Sequence, residues 1–479
     1  MATKGSKSQK SSVPDLYRRV RIRRDPFNIR RIYTAMLEGR CCLDYRVFSS
    51  SCQEENDWRC MSCQPELNNR RSKHPPEIYR EDEQIKRKVP KLTSCLGFHP
   101  QNGDDLPKEA EDQCQSHDSS DSQSLIHGIG RDNSISCLIS CSRSDYGSIA
   151  SISKSFRSLV RSGELYSLRR LNDVIEHWIY FSCHLVEWEA FDPSRARWMR
   201  LPRIIDYEFA VFPDRESLAV GTELLVFTRE FITSSNIIYK YSILTNSWTS
   251  GMKMNVPRCL FGSASLGEIA ILAGGRDSQG HTLSSAEMYN SETRQWLQLP
   301  DMHKPRNMCS AVFMDGKFYV IGGKIGIDES NKSQVLTCSE EFDLQTRTWT
   351  IIPDMSPARR GGQETFATAA EAPPLVAVVN NELYSADCAD MEVRKYDKKR
   401  KVWSTIGRLP ERAASMNGWG LAFRACGDNL VVISGPRTAG EGIIEVNAWS
   451  PKEEGPPRWN LLGRKRSSNF VYNCAVMGC

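Results

Sequence analysis

Six tryptophans recur at nearly constant spacing through the C-terminal two thirds of the chain, and this repeat constrains the fold more than any other feature. They are separated by 50, 48, 53, 54 and 56 residues and stand at Trp198, Trp248, Trp296, Trp349, Trp403 and Trp459. Seven positions before each of the first five stands a second aromatic residue: Phe191, Tyr241, Tyr289, Phe342 and Tyr396. In the sixth unit this interval is ten, from Trp449 to Trp459. A period of about 50 residues is typical of structural repeats that must stack on one another to bury their apolar faces.

Short apolar runs bounded by turn residues lie between the tryptophans. Examples are Leu224–Phe227, Ile269–Leu272, Phe318–Ile321, Leu375–Val379 and Leu430–Ile433. Runs of this length predict strands, and long stretches of helical periodicity are missing from this part of the sequence. Residues 173–479 are therefore predicted to be all β.

Glycine pairs and proline-arginine steps accompany the aromatic repeat. The glycine pairs are Gly274-Gly275 and Gly322-Gly323, and the proline-arginine steps are Pro257-Arg258 and Pro305-Arg306. With these features the sequence resembles the kelch family, in which each repeat forms one four-stranded blade of a β-propeller. The resemblance implies a six-bladed propeller over residues 173–479. The repeated aromatic residues would fill the gaps between blades, and the glycine pairs would let strand backbones approach closely.

The two ends of the repeat region predict how the ring closes. The first repeat begins abruptly at Glu176–Phe181, without a leading strand of its own. The final segment Asn469–Gly478 resembles Met308–Met314, which is a leading strand in the middle of the ring. We therefore expect the C-terminal segment to complete the first blade, which closes the ring and hides a strand edge.

Residues 125–172 have a different, helical pattern. Their apolar residues recur at steps of three and four, and they are Ile135, Leu138, Ile139, Ile149, Ile152, Phe156, Leu159, Val160, Leu165 and Leu168. This period predicts about three short helices, with breaks at Gly128, Gly130 and Gly147. Because so short a unit buries little surface by itself, we expect it to pack on a partner or on the propeller.

The closing motif of this unit carries a second resemblance. Ile152-Ser153-Lys154-Ser155-Phe156-Arg157-Ser158-Leu159 is similar to the Val-Ser-Lys-x-Trp-Arg-x-Leu pattern of the F-box, with Phe156 in place of the usual Trp. The opening Ile129–Asn133 is similar to its Leu-Pro-Asp-Asp start, with Gly130 in place of Pro. From Ser124 to Cys479 the chain resembles the plant F-box/kelch-repeat proteins.

This resemblance implies the substrate receptor of a Skp–cullin–F-box ubiquitin ligase. The partners would be a Skp-type adaptor, through it a cullin–RING ligase, and an unknown protein substrate. The implied adaptor-binding residues are Ile129, Asp132, Ile135, Leu138, Ile152, Phe156 and Leu159. The alternative is a kelch interaction scaffold that joins no ligase, its helices serving only as a cap packed on the propeller.

Five arginines recur at a similar phase of successive repeats: Arg258, Arg306, Arg359, Arg360 and Arg412. Equal phase places them at one radius and on one face of the disc, where they are candidates for binding an acidic or polar substrate surface. The alternative is that each arginine bonds loop carbonyls or a neighbouring blade.

Residues 1–124 are predicted to be a disordered leader, because polar and charged residues dominate and little apolar area is available to offset the entropy of ordering. The net charge of +5 originates here, since residues 1–35 hold ten basic side chains and two acidic ones. The charge of the leader therefore bears on localisation, which is expected to be the nucleus and/or cytoplasm, and it does not predict a nucleic-acid-binding fold. The basic runs Arg18–Arg24 and Lys86–Lys88 suit nuclear import; a solvated tail and an organelle transit peptide are the alternatives.

Catalytic and metal-binding patterns are weak. The 17 cysteines predict free thiols in a reducing compartment, and Cys60-x-x-Cys63 provides one pair where a structural zinc site commonly needs two. No phosphate loop or nucleophile elbow is present, so neither an enzyme nor a cofactor nor a metal site is predicted. With no run near the roughly 18 apolar residues that a bilayer requires and a mean hydropathy of −0.47, no membrane span is predicted.

Overall fold

The computed structural model describes residues 125–479 except for 127, 185, 206–209, 212–215, 231–235, 328–332, 358–371, 416, 437–441, 454 and 468. The predicted leader, residues 1–124, lies outside the described residues. Within the described ranges, none of the helices combines the length and the hydropathy that crossing a bilayer requires.

Four short helices form the first unit. They are α1 (Arg131–Ser140), α2 (Tyr146–Ile152), α3 (Lys154–Ser162) and α4 (Glu164–Leu171). The predicted break at Gly147 is wrong, because this residue lies inside α2. The chain instead turns at Arg143–Asp145, a 3-10 turn in which the Ser142 hydroxyl accepts the backbone N–H of Ser144.

The α3 helix has clear start and stop signals. The Ser153 hydroxyl accepts a hydrogen bond from the backbone N–H of Phe156 at 3.2 Å, which is an N-cap. Gly163 follows the helix in the left-handed conformation, with φ of 82°, and this ends α3 before α4 begins.

The remaining described residues are strands and their connections, one of which contains a 3-10 turn at Glu411–Ala413. In chain order the strands up to the third blade are β1 (His177–His184), β2 (Glu187–Asp192), β3 (Arg197–Arg200), β4 (Ala210–Val211), β5 (Ser217–Val220), β6 (Glu223–Glu230), β7 (Asn236–Ser242), β8 (Ser247–Met252), β9 (Gly262–Leu266), β10 (Ile269–Ala273), β11 (Ala286–Asn290) and β12 (Gln295–Leu299). Those that follow are β13 (Ser310–Met314), β14 (Lys317–Ile321), β15 (Lys324–Ile327), β16 (Ser333–Val335), β17 (Ser339–Asp343), β18 (Thr348–Ile352), β19 (Leu375–Val379), β20 (Glu382–Asp387), β21 (Glu392–Asp397), β22 (Val402–Arg408), β23 (Leu421–Cys426), β24 (Asn429–Ser434), β25 (Gly442–Trp449), β26 (Asn460–Ser467) and β27 (Asn473–Gly478).

These strands form six antiparallel blades, so the predicted six-bladed β-propeller is confirmed. In ring order the blades are β27-β1-β2-β3, then β5 to β8 with β4 added beside β6, then β9 to β12, then β13-β14-β17-β18, then β19 to β22, and last β23 to β26. We number them blade one to blade six. The hairpin β15-β16 is an excursion from blade four.

The ring closes through the C-terminal segment. Strand β27 pairs with β1 in an antiparallel register that runs from His177 opposite Gly478 to Ser182 opposite Asn473. This is the pairing predicted from the likeness of the last residues to a leading strand. It leaves the first blade with four strands and covers an edge that would otherwise be open.

The repeated aromatic residues form one cross-strand contact in every blade. Ring centroids are 4.5 Å apart for Phe191 and Trp198 and between 4.9 and 6.0 Å apart for the other five pairs. The tryptophan also reaches back to the preceding blade, as where Trp349 Nε1 donates to the carbonyl of Pro300 at 2.8 Å. Trp248, Trp403 and Trp459 make the same kind of bond to the carbonyls of Pro202, Met355 and Arg408. The aromatic pair therefore supports its own blade, and in these four blades the indole N–H also joins the blade to the one before it.

A tight turn precedes each of the first five tryptophans. The residue two positions before the tryptophan is left-handed although it is not glycine, at Ala196, Asn246, Arg294, Arg347 and Lys401. The side chain just after the earlier aromatic accepts the turn's amide hydrogens, as when Asp343 Oδ1 bonds the N–H groups of Gln345 and Thr346. Such a turn places the two aromatic rings opposite each other.

Candidate functional site

Arg258 and Arg306 occupy equivalent places at the start of blades three and four. The guanidinium of Arg258 bonds Glu287 at 2.9 Å and donates to the carbonyls of Gly274 and Ser285. That of Arg306 bonds Glu340 at 2.6 Å and the carbonyls of Gly322 and Cys338. Each glutamate also accepts two backbone N–H groups of the linker that carries its arginine: those of Asn255 and Val256, and those of His303 and Lys304.

The burial of these two arginines contradicts the prediction that they bind substrate. Arg258 is 1% exposed and Arg306 is 0% exposed, so neither guanidinium reaches a partner. The alternative role, bonding of loop carbonyls, is the one that the structure supports. Burial lowers the pKa of Arg258 and Glu287 opposes that shift, as expected for a buried ion pair.

Arg412 keeps the exposure that a binding residue needs. Its side chain is 36% exposed, lies 3.8 Å from Glu445 and donates to the carbonyl of Ile443. Glu445 is shared with Arg464, at 3.0 Å, so two guanidinium groups meet one carboxylate at this edge of blade six. The other two predicted arginines, Arg359 and Arg360, lie outside the described residues.

The central channel has one charged wall residue among those described. The channel is a cavity of about 370 Å³ lined by inner strands, and its wall is small or apolar apart from Arg424. Arg424 donates to the carbonyls of Cys474 and Phe423 at 3.1 and 3.2 Å, and no carboxylate of a described residue pairs with it. No sequence pattern pointed to this residue, because Arg424 stands within an apolar run like those of the other inner strands.

Three of the predicted adaptor contacts are core residues. Ile135, Leu138 and Leu159 are buried in one apolar cluster that joins the helices to blades one and two. Their burial contradicts the expectation that they are presented to an adaptor. Their three- and four-residue spacing marks the stripe that packs on the propeller.

The other four predicted adaptor residues reach the surface. Ile152 is 71% exposed and Ile129 is 37% exposed. Asp132 is exposed, and Phe156 is half-buried against the shared core. Ile152 directly precedes the capping Ser153, and Phe156 donates its backbone N–H to that cap, so both residues belong to the turn between α2 and α3.

Two arginines that no sequence pattern predicted, one buried and one partly exposed, attach the helices to the propeller. Arg169, fully buried on α4, donates to the carbonyls of Ile139 and Cys141 and pairs with Glu176 at 3.2 Å, just before β1. Arg170 pairs with Glu268 in a hairpin of blade three. The helical unit therefore has a fixed orientation on the ring. The Arg169-Arg170 pair directly before the first strand was the available signal.

The described cysteines are free thiols. Burial raises the pKa of Cys309 and of Cys474 to about 11, so these groups are protonated at neutral pH. Within the described ranges, no group of three or more His, Cys, Asp or Glu side chains has a metal-binding arrangement. Cys60 and Cys63 lie outside those ranges.

Comparison with known proteins gives two kinds of match. The family model described as Kelch motif matches residues 257–303 and 305–356, which are blades three and four with their linkers. The F-box/kelch-repeat protein At1g26930 of Arabidopsis thaliana is 63% identical over 361 residues, covering 75% of this chain and 85% of that protein. The F-box/kelch-repeat proteins SKIP11 and At1g74510 of the same plant are 58% and 51% identical, each over 93% of this chain and 100% of their own length.

Proposed function

The chain belongs to the F-box/kelch-repeat family, and we propose that it is the substrate-recognition subunit of a Skp–cullin–F-box ubiquitin ligase. In this role the helical unit binds a Skp-type adaptor and, through it, a cullin–RING ligase, while the propeller binds a protein target. The subunit performs no bond chemistry and needs no cofactor. It holds the target near the ubiquitin-charged enzyme, which raises the effective concentration of the reacting groups.

The observation that carries the proposal is the exposed turn between α2 and α3. An isolated aliphatic side chain that is 71% exposed, such as Ile152, is common on protein surfaces and needs no partner. Here, however, Ile152 and the half-buried Phe156 belong to the motif that resembles the closing F-box pattern. An exposed aliphatic group and a partly open aromatic ring that belong to one turn are suited to the apolar centre of a protein interface.

The attachment of the helices to the ring supports the same role. The shared core and the ion pairs of Arg169 and Arg170 hold the helical unit in one orientation. A receptor of this kind carries its target at a defined distance from the adaptor, which is what transfer between two bound proteins requires.

The propeller offers positive charge to a target at two places. Arg412 and Arg464 share one carboxylate at the edge of blade six, and Arg424 lines the channel without a carboxylate partner among the described residues. We therefore propose that the target presents acidic side chains to one or both of these places. Among the described members of the predicted arginine series, Arg412 retains a binding role in this proposal, and Arg359 and Arg360 stay predictions.

The test is retention of a purified Skp-type adaptor by the full chain and by two variants. Ile152→Ala should weaken adaptor binding about tenfold, the effect expected for truncating an interface anchor. Val335→Ala is the matched control, because Val335 is also an exposed aliphatic residue but lies on the propeller. Its affinity should equal that of the unmodified chain.

Two results would overturn the proposal. If the unmodified chain retains no adaptor, the ligase role fails and the interaction scaffold takes its place. If both variants bind adaptor equally well, the α2–α3 turn is not the contact surface.

We further propose that the protein resides in the nucleus and/or cytoplasm. The support is the pair of basic runs, Arg18–Arg24 and Lys86–Lys88, whose charge suits the acidic grooves of import receptors. Replacing the basic residues of both runs with glutamine should reduce the nuclear share of a fluorescent fusion. An unchanged distribution would contradict a role in import.

A further inference from the structure

A cleft of about 500 Å³ lies between the helical unit and the first two blades. Helices α2 and α3 form one side of it, blade one forms the floor, and the hairpin between β7 and β8 forms the other side. Its volume is within the range of about 300–1,000 Å³ typical of sites for small organic molecules. The proposed ligase role uses no part of this cleft.

The charge of the cleft is of one sign. Four arginines line it: Arg143, Arg157, Arg161 and Arg200. No aspartate or glutamate is present among the described lining residues. Arg200 has a distant carboxylate neighbour, Glu189 at 3.8 Å, and Arg157 bonds the carbonyl of Ala150. A cleft so lined has a positive potential that attracts anions.

Arg143 is the deepest of these charges, and its guanidinium has only neutral partners. The residue is 5% exposed. It donates to the hydroxyl of Tyr180 at 2.7 Å and to the carbonyls of Glu176 and Met477, and it stacks at 4.2 Å over the ring of Trp178. The Glu176 carboxylate pairs instead with Arg169. The Glu176 carboxylate also accepts the Arg143 backbone N–H, and an anion in the cleft would give the buried guanidinium the ion-pair partner that none of the described residues supplies.

The rest of the wall is aromatic and contains an unused donor. Tyr146, Tyr180 and Tyr241 each engage their hydroxyl groups within the protein. Tyr166 is 4% exposed, and no described residue forms a hydrogen bond with its hydroxyl. Burial raises the pKa of Tyr166 above its usual value, so the group is a neutral donor. Aromatic walls of this kind suit a flat apolar body, and the donor suits an acceptor attached to it.

From these observations we infer that the cleft binds a small organic anion consisting of a flat apolar body and a carboxylate, sulfonate or phosphate group. The anionic group lies toward the arginines and the Tyr166 hydroxyl, and the apolar body lies against the tyrosine rings. A ligand bound here contacts both the helices and the propeller, and it therefore stabilises their contact by an amount that grows with the logarithm of its concentration above its Kd. This inference stands whether or not the chain joins a ligase.

The test is fluorescence titration of the full chain with anilinonaphthalenesulfonate, an aromatic sulfonate whose emission rises in apolar sites. Phenylnaphthylamine, which has the same rings without the sulfonate, measures the contribution of charge. The cleft variant is Arg157→Gln/Arg161→Gln. The matched control is Lys154→Gln/Arg197→Gln, which removes the same charge from exposed positions outside the cleft, one of them also on α3.

We expect the sulfonate to bind about tenfold more tightly than the neutral amine and about tenfold more tightly to the unmodified chain than to the cleft variant, as charge-assisted contacts predict. The control should stay within about twofold of the unmodified chain. Tyr166→Phe, which removes a hydroxyl without a partner and preserves the packing of the ring, should weaken the sulfonate a few-fold with an unchanged Tm. Equal affinity for the two dyes, no binding of either, or equal losses in the cleft variant and the control would overturn the inference.

Discussion

Blades three and four share a fold with blades five and six but differ from them in the charged groups at one end. In blades three and four an arginine from the preceding linker meets a glutamate two residues before the repeated aromatic, and the pair is fully buried. In blade five that position holds Arg394, which pairs with Asp387 at 3.1 Å and Glu392 at 3.0 Å. In blade six Arg412 and Glu445 form a looser, partly exposed pair.

The difference separates the aromatic contact, which every blade has, from the ion pair that ties a blade to its preceding linker, which we call the charged closure. All six blades have the aromatic contact, whereas among the described residues the fully buried arginine–glutamate pair occurs in blades three and four. These are the two blades that the Kelch motif model matches. The aromatic contact is therefore the feature common to every blade, while the buried arginine–glutamate pair varies from blade to blade.

The largest expected change in the free energy of unfolding comes from breaking the buried arginine–glutamate pair of blade four. Arg306→Met should lower the free energy of unfolding by about 3–5 kcal/mol, because it leaves the Glu340 carboxylate buried without its counter-charge. Arg412→Met in blade six should cost at most about 1 kcal/mol, as expected for an exposed pair. Urea unfolding followed by tryptophan fluorescence measures both changes.

The double variant Arg306→Met/Glu340→Leu is the control for this prediction. It removes both charges, so most of the lost stability should return. Equal losses of unfolding free energy for Arg306→Met and Arg412→Met would show that the two ion pairs contribute equally to stability. The distinction drawn here between the blades would then be wrong.

A smaller loss of stability is expected when a repeat tryptophan is replaced by phenylalanine. Its size should depend on whether the indole N–H forms a hydrogen bond, and not on the blade to which the tryptophan belongs. Trp349→Phe in blade four and Trp403→Phe in blade five should each cost about 1–2 kcal/mol, because each loses some buried area and a bond to the preceding linker. Trp296→Phe should cost less, because the buried Trp296 Nε1 has no hydrogen-bond partner among the described residues. Thermal unfolding of the three variants checks this order. A Trp296→Phe loss as large as the others would contradict the role of the indole bond.

The sequence predicts the ring well because its signals are repeated. One aromatic pair is weak information, but five pairs at an equal interval and a spacing near 50 residues leave few alternatives. The closing strand follows from the missing first strand and the likeness of Asn469–Gly478 to an inner strand. The turns before the tryptophans were missed, although an Asp, Asn or Ser after each of the first five earlier aromatics was the signal for them.

The candidate sites were predicted less well because a residue type and its phase do not reveal burial. Arg258 and Arg412 are alike in the sequence, and what distinguishes them is the glutamate two residues before the aromatic, which blade six lacks. The apolar stripe of the helices likewise does not reveal which of its residues are buried. An apolar period of three and four is identical whether the stripe faces a partner or the propeller, so it could not show that Ile135 faces the core while Ile152 faces solvent.

The smallest expected difference is in the reactivity of buried cysteines, which should be equally protected in blades three and four and in blades five and six. Cys309, at the start of blade four, and Cys426, in blade six, are both buried, and burial raises the pKa of Cys309 to about 11 and that of Cys426 to about 12. At pH 8 only roughly a thousandth of the Cys309 thiol is ionised, so iodoacetamide should label both residues far more slowly than the exposed Cys137.

Mass spectrometry of the labelled peptides gives the three rates, and the urea-unfolded chain serves as the control in which they should converge. The raised pKa values also make the stability of the folded chain depend on pH. The unfolded chain loses these protons from about pH 9, whereas the folded chain holds them to about 11, so the folded state loses stability as the pH rises through this window. If Cys309 were labelled quickly and Cys426 slowly, the interior as well as the charged closure would differ between the two groups of blades. Equal protection instead confines their difference to the end of the blade where Arg306 and Arg412 lie.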